Sequence, residues 1–242
     1  TMKALMLNSG IGKRMGQLTK KHPKCMVELT EGVTIFSLQV KNLLSVNITD
    51  IIVTTGPFED KLIGHATKLF PHVNFTFINN KQYQDTNYIY SIYLAREYVK
   101  DDIVLLHGDL VFDASILQGL FETTESCIVT SSSLPLPSQD FKAVVDQKGR
   151  VKKVGVEFFG GNTYAAQPLY KLNKSDWLCW LEEISKFCEA GEKQCYAENA
   201  LNQILDRLTL LAFDVKENLC GEIDNPNDLE KIKRRITYLE RV

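Results

Sequence analysis

The run Leu7-Asn8-Ser9-Gly10-Ile11-Gly12-Lys13-Arg14-Met15, followed by Pro23-Lys24, decides how this chain is read. Ahead of it, Met2 to Leu7 has a strand pattern, and the unbroken apolar run Ala4, Leu5, Met6, Leu7 predicts burial. Behind it stand two glycines and the cations Lys13, Arg14, Lys20, Lys21 and Lys24. A buried strand opening into a glycine-containing cationic loop lets backbone N–H groups approach an anion, while lysine or arginine neutralises its charge. The pattern predicts a nucleoside triphosphate site. A Walker loop would place Ser or Thr where Arg14 follows Gly12-Lys13. The dinucleotide fingerprint needs its third glycine at Met15, one residue before Gly16. A tight strand-to-helix turn with solvated lysines is the other reading of the same residues.

The 242 residues suit one large α/β domain. With 44% hydrophobic and 24% charged residues the composition is that of a globular chain. A net charge of −2 gives no global reason to expect a nucleic-acid partner, so an anion site must be local. The six cysteines form no Cys-x-x-Cys pair and lack metal-ligand spacing, which predicts reduced thiols. No apolar run approaches the ~18 residues of a membrane span, and the first one is short and followed by glycines and lysines. The expectation is a cytoplasmic protein without membrane insertion; Thr1 before Met2 reads as a remnant of expression.

The first half alternates strands with helices. Ile51–Thr55, Val73–Ile78, Ile103–His107 and Cys127–Thr130 are strand runs, and Ile35, Leu38, Val40, Leu43 and Leu44 share a helical face. This predicts an α/β fold, a Rossmann-like, mostly parallel mixed sheet flanked by helices. Ligands in such sheets bind beyond the carboxyl ends of the strands, where Asn8, Ser9, Gly108 and Asp109 would lie. Later, Ala143–Asp146 and Val151–Val154 read as a hairpin turning at Gly149. Ser175 is the expected cap of a helix that buries Trp177, Trp180, Leu181, Ile184, Phe187 and Cys188. A last helix is expected after the cap Asn225, with Pro226 first and Leu229, Ile232, Ile236 and Leu239 on one face. The cations Lys231, Lys233, Arg234 and Arg235 read as its solvated side. Asp109 ends a strand just after Gly108, and Asp224 stands immediately before the capped last helix; by pattern alone either acid also fits a cap. The four histidines show no ligand spacing and receive no role.

The opening segment resembles the signature of sugar-phosphate-type nucleotidyltransferases, Leu-Ala-Ala-Gly-x-Gly-x-Arg followed about ten residues later by Pro-Lys. Leu7, Gly10, Gly12, Arg14, Pro23 and Lys24 fall in register, with Leu18-Thr19 between; Asn8 and Ser9 replace the two alanines. Gly108-Asp109 and Glu222-Ile223-Asp224 match further elements. The stretch Asp85-Thr86-Asn87-Tyr88-Ile89-Tyr90-Ser91 is similar to a motif of bacterial cytidylyltransferases acting on phosphocholine or aminoethylphosphonate, with Tyr88 in place of an asparagine. Cys195-Tyr196-Ala197-Glu198-Asn199-Ala200-Leu201 resembles that family's acceptor-side segment.

The resemblance implies one nucleotidyltransferase domain over residues 1–242, holding the nucleotide in about 1–130 and the acceptor in about 131–242. It implies transfer of CMP from CTP to a small phosphorylated or phosphonylated compound, with release of pyrophosphate. Leu7, Asn8, Ser9, Gly10, Ile11, Gly12, Lys13 and Gly108 would cradle the nucleotide, and Asp85, Asn87 and Ser91 would read the base. Arg14 and Lys24 would be catalytic, Asp109 and Asp224 would hold Mg²⁺, and Tyr164, Tyr196 and Glu198 would face the acceptor. The product would activate a head group for a surface polysaccharide or lipid. Two other readings stay open: a sugar-1-phosphate uridylyl- or thymidylyltransferase, against which the missing Gln-x-x-Gly loop counts, and a catalytically silent nucleotide-sensing subunit.

Overall fold

A computed structural model describes residues 1–241. The chain opens with β1 (Met2–Asn8), then 3₁₀ turns over Lys13–Thr19 and Lys24–Met26, β2 (Glu28–Thr30) and β3 (Val33–Thr34). Next come α1 (Ile35–Ser45), β4 (Asp50–Thr55), α2 (Glu59–Leu69), β5 (Asn74–Asn79), α3 (Tyr88–Ala95), β6 (Asp102–His107) and β7 (Leu110–Phe112). They are followed by α4 (Ala114–Glu122), β8 (Ser126–Ser131), β9 (Lys142–Val145), β10 (Val151–Gly155) and β11 (Thr163–Leu172). The chain finishes with α5 (Lys174–Glu189), α6 (Ala197–Asn202), β12 (Leu210–Asp214), β13 (Cys220–Glu222) and α7 (Pro226–Glu240).

The main sheet runs β10-β9-β11-β6-β1-β4-β5, with β8 and β12 branching from β11. Strands β6, β1, β4 and β5 are mutually parallel, whereas β11 lies antiparallel to β6, β8 and β9. The mixed sheet flanked by helices is the expected class. Cys127–Thr130 belongs to β8, which lies outside the parallel set: it pairs antiparallel with β11 and parallel only with β12, because β11 takes the place beside β6. The chain winds outward from β1 through β4 to β5, then returns across β1 to β6. That reversal opens a crevice at the carboxyl ends of β1 and β6, where a doubly wound sheet offers its ligand site.

Alternation along β1 fixes both faces. Leu5 and Leu7 pack with Ile89, Ile92, Trp177 and Trp180 under α3 and α5, while Ala4 and Met6 pack with Phe36, Val40, Leu62 and Ile116 under α1, α2 and α4. Trp177 and Trp180 are fully buried, and their indole N–H groups donate to Val99 O (2.7 Å) and Ala197 O (2.9 Å). A third cluster, with Met15, Val27 and Ile35 against Ile223 and Leu229, clamps the segment after the glycine loop to the start of α7.

Two local expectations are corrected. The cap position of α5 is Asn173, and Ser175 lies inside the first turn. Leu239 is exposed, because α7 has left the core by its last turn and only Leu229, Ile232 and Ile236 reach the third cluster. Asn225 caps α7 as expected, its side chain accepting from Asp228 N at 2.9 Å with Pro226 next. Four cysteines are buried and two, Cys179 and Cys195, are half-buried; all six are free thiols. No helix among the described residues is long and apolar enough to cross a membrane.

Candidate active site

The crevice between β1 and β6 widens into a cleft of ≈ 780 Å³, mouth included, within the size range of small-ligand sites. Its floor is Leu7 and Asn8 of β1 with Ser9 just beyond, and His107 of β6 with Gly108 and Asp109 just beyond. Gly108 N donates to Leu7 O at 3.0 Å and sews the strand ends together. A Cβ on Gly108 would lie 1.5 Å from Asn8 Oδ1, so only glycine lets Asn8 lie across it. Gly12 turns the loop with φ +68°, a left-handed conformation, and its carbonyl accepts from Thr19 Oγ1 at 2.8 Å. The loop leads into 3₁₀ turns rather than an α-helix. Of the loop, Gly10 and Gly12 line the cleft, whereas Ile11, Lys13 and Arg14 stand outside its lining.

At one end the cleft is charged. Lys24 Nζ lies 3.2 Å from Asp109 Oδ2 and 3.6 Å from Asp224 Oδ1, and the exposed Arg14 reaches Asp224 Oδ1 at 3.4 Å. Glu222 joins them: Asp109, Glu222 and Asp224 each offer an oxygen, all within 4.8 Å of one another. The segments are tied by β7–β13 pairing, which sets Glu222 opposite Leu110, and by Ile223 N donating to Asp109 O at 2.9 Å. Asp228, in the first turn of α7, accepts from Asp224 N at 2.9 Å and fixes its backbone. Burial and the neighbouring carboxylates push Glu222 and Asp224 upward from the ordinary carboxylate range, against the pull of Lys24 and, at Asp224, Arg14. Asp109 Oδ1 is buried with no hydrogen-bond partner. Three converging carboxylates, one with an unsatisfied buried oxygen, form an all-oxygen donor set suited to a hard divalent cation such as Mg²⁺.

The other end is polar and neutral. Ser91, on α3, donates to Ser9 Oγ (3.0 Å) and accepts from Asn80 Nδ2 (3.0 Å). Asn80 also donates to Thr86 Oγ1 and accepts from Gln82 N, so the group is connected throughout. Asn87 lines the cleft and caps α3 with its own Oδ1 on Tyr88 N at 2.8 Å. Asp85 does not line the cleft: it is exposed, and its carbonyl accepts from Gln194.

The acceptor-side expectations are rearranged most. Glu198 is 3% exposed, and Tyr88 Oη donates to its Oε1. Burial pushes the Glu198 carboxyl up to about 7, although hydrogen bonds from Tyr88 and Tyr170 pull it back. It meets the cleft through Tyr88, not by its own oxygens. Tyr88 packs edge-on to His107 (4.5 Å between ring centres) and stacks on Tyr196 (6.1 Å), which meets Phe141 (5.0 Å). Tyr196 is half-exposed at the outer end of this aromatic row. Tyr164 lies on β11 opposite Ala143, exposed and outside the cleft lining. His107, given no role from sequence, lines the cleft, and burial lowers its pKa.

Asn80, Tyr83, Thr86, Tyr88 and Glu222 also belong to the site. Glu222 was legible as the first acid of Glu-Ile-Asp, and Asn80 as a polar residue just past the β5 run. Thr86 was legible only as a member of the Asp85–Ser91 motif, and Tyr83 carried no signal, because it sits in a loop whose path is set by tertiary contacts.

The chain is similar to known proteins in sequence and, for solved structures, in fold. The chain is 25% identical to the CTP:phosphoglutamine cytidylyltransferase of Campylobacter jejuni, over 95% of this chain and 98% of that protein. It is 26% identical to the choline-phosphate cytidylyltransferase of Streptococcus pneumoniae, over 96% and 97%. The solved structure of the CTP:phosphocholine cytidylyltransferase from Streptococcus pneumoniae superposes with a TM-score of 0.77 at 19% identity, covering 97% of this chain and 99% of that one. Residues 4–170, which include the glycine loop, Lys24, Asp109 and the start of α3, match the MobA-like NTP transferase domain, and the chain is a nucleotidyltransferase of that family.

Proposed function

We propose that this protein is a Mg²⁺-dependent cytidylyltransferase that moves CMP from CTP onto a small phosphorylated or phosphonylated acceptor and releases pyrophosphate. The observation that carries this reading is the pairing, in one cleft, of a Lys24–carboxylate cluster with a neutral polar pocket at the start of α3. Cytosine as the base is favoured by the names of the two relatives above.

In the reaction an acceptor phosphate or phosphonate oxygen, already ionised near neutral pH, attacks the α-phosphorus of CTP. A new P–O bond forms as the bond to the β-phosphate oxygen breaks, and pyrophosphate takes up the electron pair. No side-chain nucleophile is required. Two anions must meet, and Lys24, half-buried between two carboxylates, is placed to neutralise charge building on the reacting phosphates. Arg14 stands at the outer edge, where the leaving pyrophosphate emerges. Gly10 and Gly12 open the backbone to the triphosphate, and Ser9, Ser91, Asn80 and Asn87 face the base. Asp109, Asp224 and Glu222 would hold the Mg²⁺, which supplies Lewis-acid stabilisation of phosphate charge when bound. Residues 131–242 complete the same domain on the acceptor side, with Tyr196 as the exposed contact and Glu198 acting through Tyr88. We place the reaction in the cytoplasm and its product ahead of head-group transfer to a surface polysaccharide or lipid.

The test is thermal stabilisation by CTP, UTP, GTP and ATP, each with Mg²⁺. A ligand at a hundred times its dissociation constant adds about 2.7 kcal/mol, roughly 5–10 °C for a chain of this size. A shift with CTP above the others is expected, followed by pyrophosphate release with phosphocholine, aminoethylphosphonate or an amino-acid-derived phosphate. Preference for UTP would transfer the assignment to the sugar-1-phosphate enzymes.

A further inference from the structure

The residues of the cleft form a row. Asp109 and Lys24 stand at one end, Gly108 with Asn8 lying across it comes next, then Ser9, Ser91 and Asn80. At the far end the polar side chains are bonded to one another. Asn80 uses its carbonyl and its amide, and Ser91 links it to Ser9. Asn8 is different. Its backbone N–H donates to Thr54 Oγ1 at 3.1 Å, but its side-chain Nδ2 is buried without any partner, in a residue only 8% exposed. The nucleotidyltransferase signature has alanine here, which would leave no such group. An unpaired buried amide costs about 1–3 kcal/mol, a loss tolerated where a ligand completes the bond.

What completes it follows from its position. A nucleotide with phosphates at Lys24 and Asp109 and its base toward Ser91 and Asn80 lays its sugar over Gly108 and Asn8. Gly108 has no side chain, so the sugar can descend onto the strand ends. A ribose hydroxyl both donates and accepts, and so matches either end of a carboxamide.

We infer that Asn8 is a sugar-recognition residue of this enzyme, hydrogen-bonding the 2′- or 3′-hydroxyl of the ribose of the bound nucleotide. The inference rests on the proposed nucleotide site and adds to it a contact made by this chain's own side chain. An internal role is the competing account: Gln39, whose Nε2 donates to His107 O at 2.9 Å, also has an unpartnered buried oxygen in the same region.

The experiment is calorimetric titration of the wild type and Asn8→Ala with CTP, 2′-deoxy-CTP and 3′-deoxy-CTP, each with Mg²⁺, alongside thermal melting. CTP should bind Asn8→Ala about 3- to 10-fold more weakly, the worth of one neutral hydrogen bond. At least one deoxy analogue should bind the wild type with a similar loss and bind Asn8→Ala no worse, since the bond is already gone. Equal weakening of all three ligands, or no weakening of CTP, overturns the inference. So does a lowered melting temperature with unchanged sugar preference, which would assign Asn8 a purely internal role. Asn8→Ser serves the same comparison if the alanine variant does not fold. A wild type that binds no nucleotide would instead refute the cytidylyltransferase reading itself.

Discussion

The molecule holds buried carboxylates in two opposite ways. At the end of β6 and the start of α7, Asp109, Glu222 and Asp224 converge on one point, facing Lys24 and Arg14, with an oxygen left unsatisfied. On α6, Glu198 is alone, almost fully buried, and closed off by the hydroxyl of Tyr88 with Tyr170 beside it. The first arrangement is electrostatically incomplete and suits a site that receives a cation and a phosphate. The second is complete in itself and orients Tyr88. An unsatisfied carboxylate cluster is thus the arrangement a ligand could complete, whereas a carboxylate already bonded by its neighbours needs none.

The largest expected effect breaks the open cluster. Asp109→Asn should lower turnover, read as pyrophosphate release, by at least 10²- to 10³-fold, as removal of a group acting on transition-state charge does. Its melting temperature in metal-free buffer should hold or rise, because one of three mutually repelling acids is neutralised. A large fall in stability with turnover intact would place Asp109 with Glu198 as a structural acid. Lys24→Met should give a turnover loss of similar size.

The closed site should answer in stability. Glu198→Ala leaves the Tyr88 hydroxyl without its acceptor in a buried setting, and about 2–4 kcal/mol should be lost in denaturant unfolding. A variant as stable as wild type would show that the Tyr88 contact contributes nothing.

Next in size is the pH dependence of the same residue. Glu198 titrates near 7 in the folded protein and near 4.5 as a free carboxyl. Between these values the folded state keeps a proton that the unfolded state has lost, so this residue's contribution to stability falls as pH rises and levels off above 7. Glu198→Gln cannot titrate, and the wild-type-minus-variant difference should change by about 3 kcal/mol across that window. A flat difference would mean the carboxyl is ionised throughout.

The smallest effect joins the two behaviours. Asn225→Ala removes the α7 cap at a cost of about 1 kcal/mol and loosens the turn that holds Asp224 through Asp228. Stability should drop modestly, and the Mg²⁺ concentration needed for half-maximal activity should rise. An unchanged metal requirement would separate the cap from the cluster.

Local chemistry made much of this molecule legible in advance. Ala4–Leu7 announced a strand buried on both faces, Gly12 a backbone turn, and Asn225-Pro226 a helix start, because side-chain period, left-handed φ and capping act within a few residues. The acid before that helix and the acid after Gly108 were visible as candidates for the same reason. Their convergence was implied by the family resemblance and not by local pattern, and Glu222 was legible only as the first acid of Glu-Ile-Asp, since the meeting of all three carboxylates depends on β13 pairing with β7 across the chain. Ser175 misled as a cap because a serine fits either the cap or the first turn, and chain entry from β11 selects Asn173.

Tertiary structure alone decided which polar groups are used up and which are left over. Tyr88 and Glu198 meet across 110 residues, Ser9 and Ser91 across 82, and Asn8 lies over Gly108 with no partner for its amide. The sequence carries the donors and acceptors. Only long-range closure of the sheet determines whether each finds a partner within the protein or is left to a ligand.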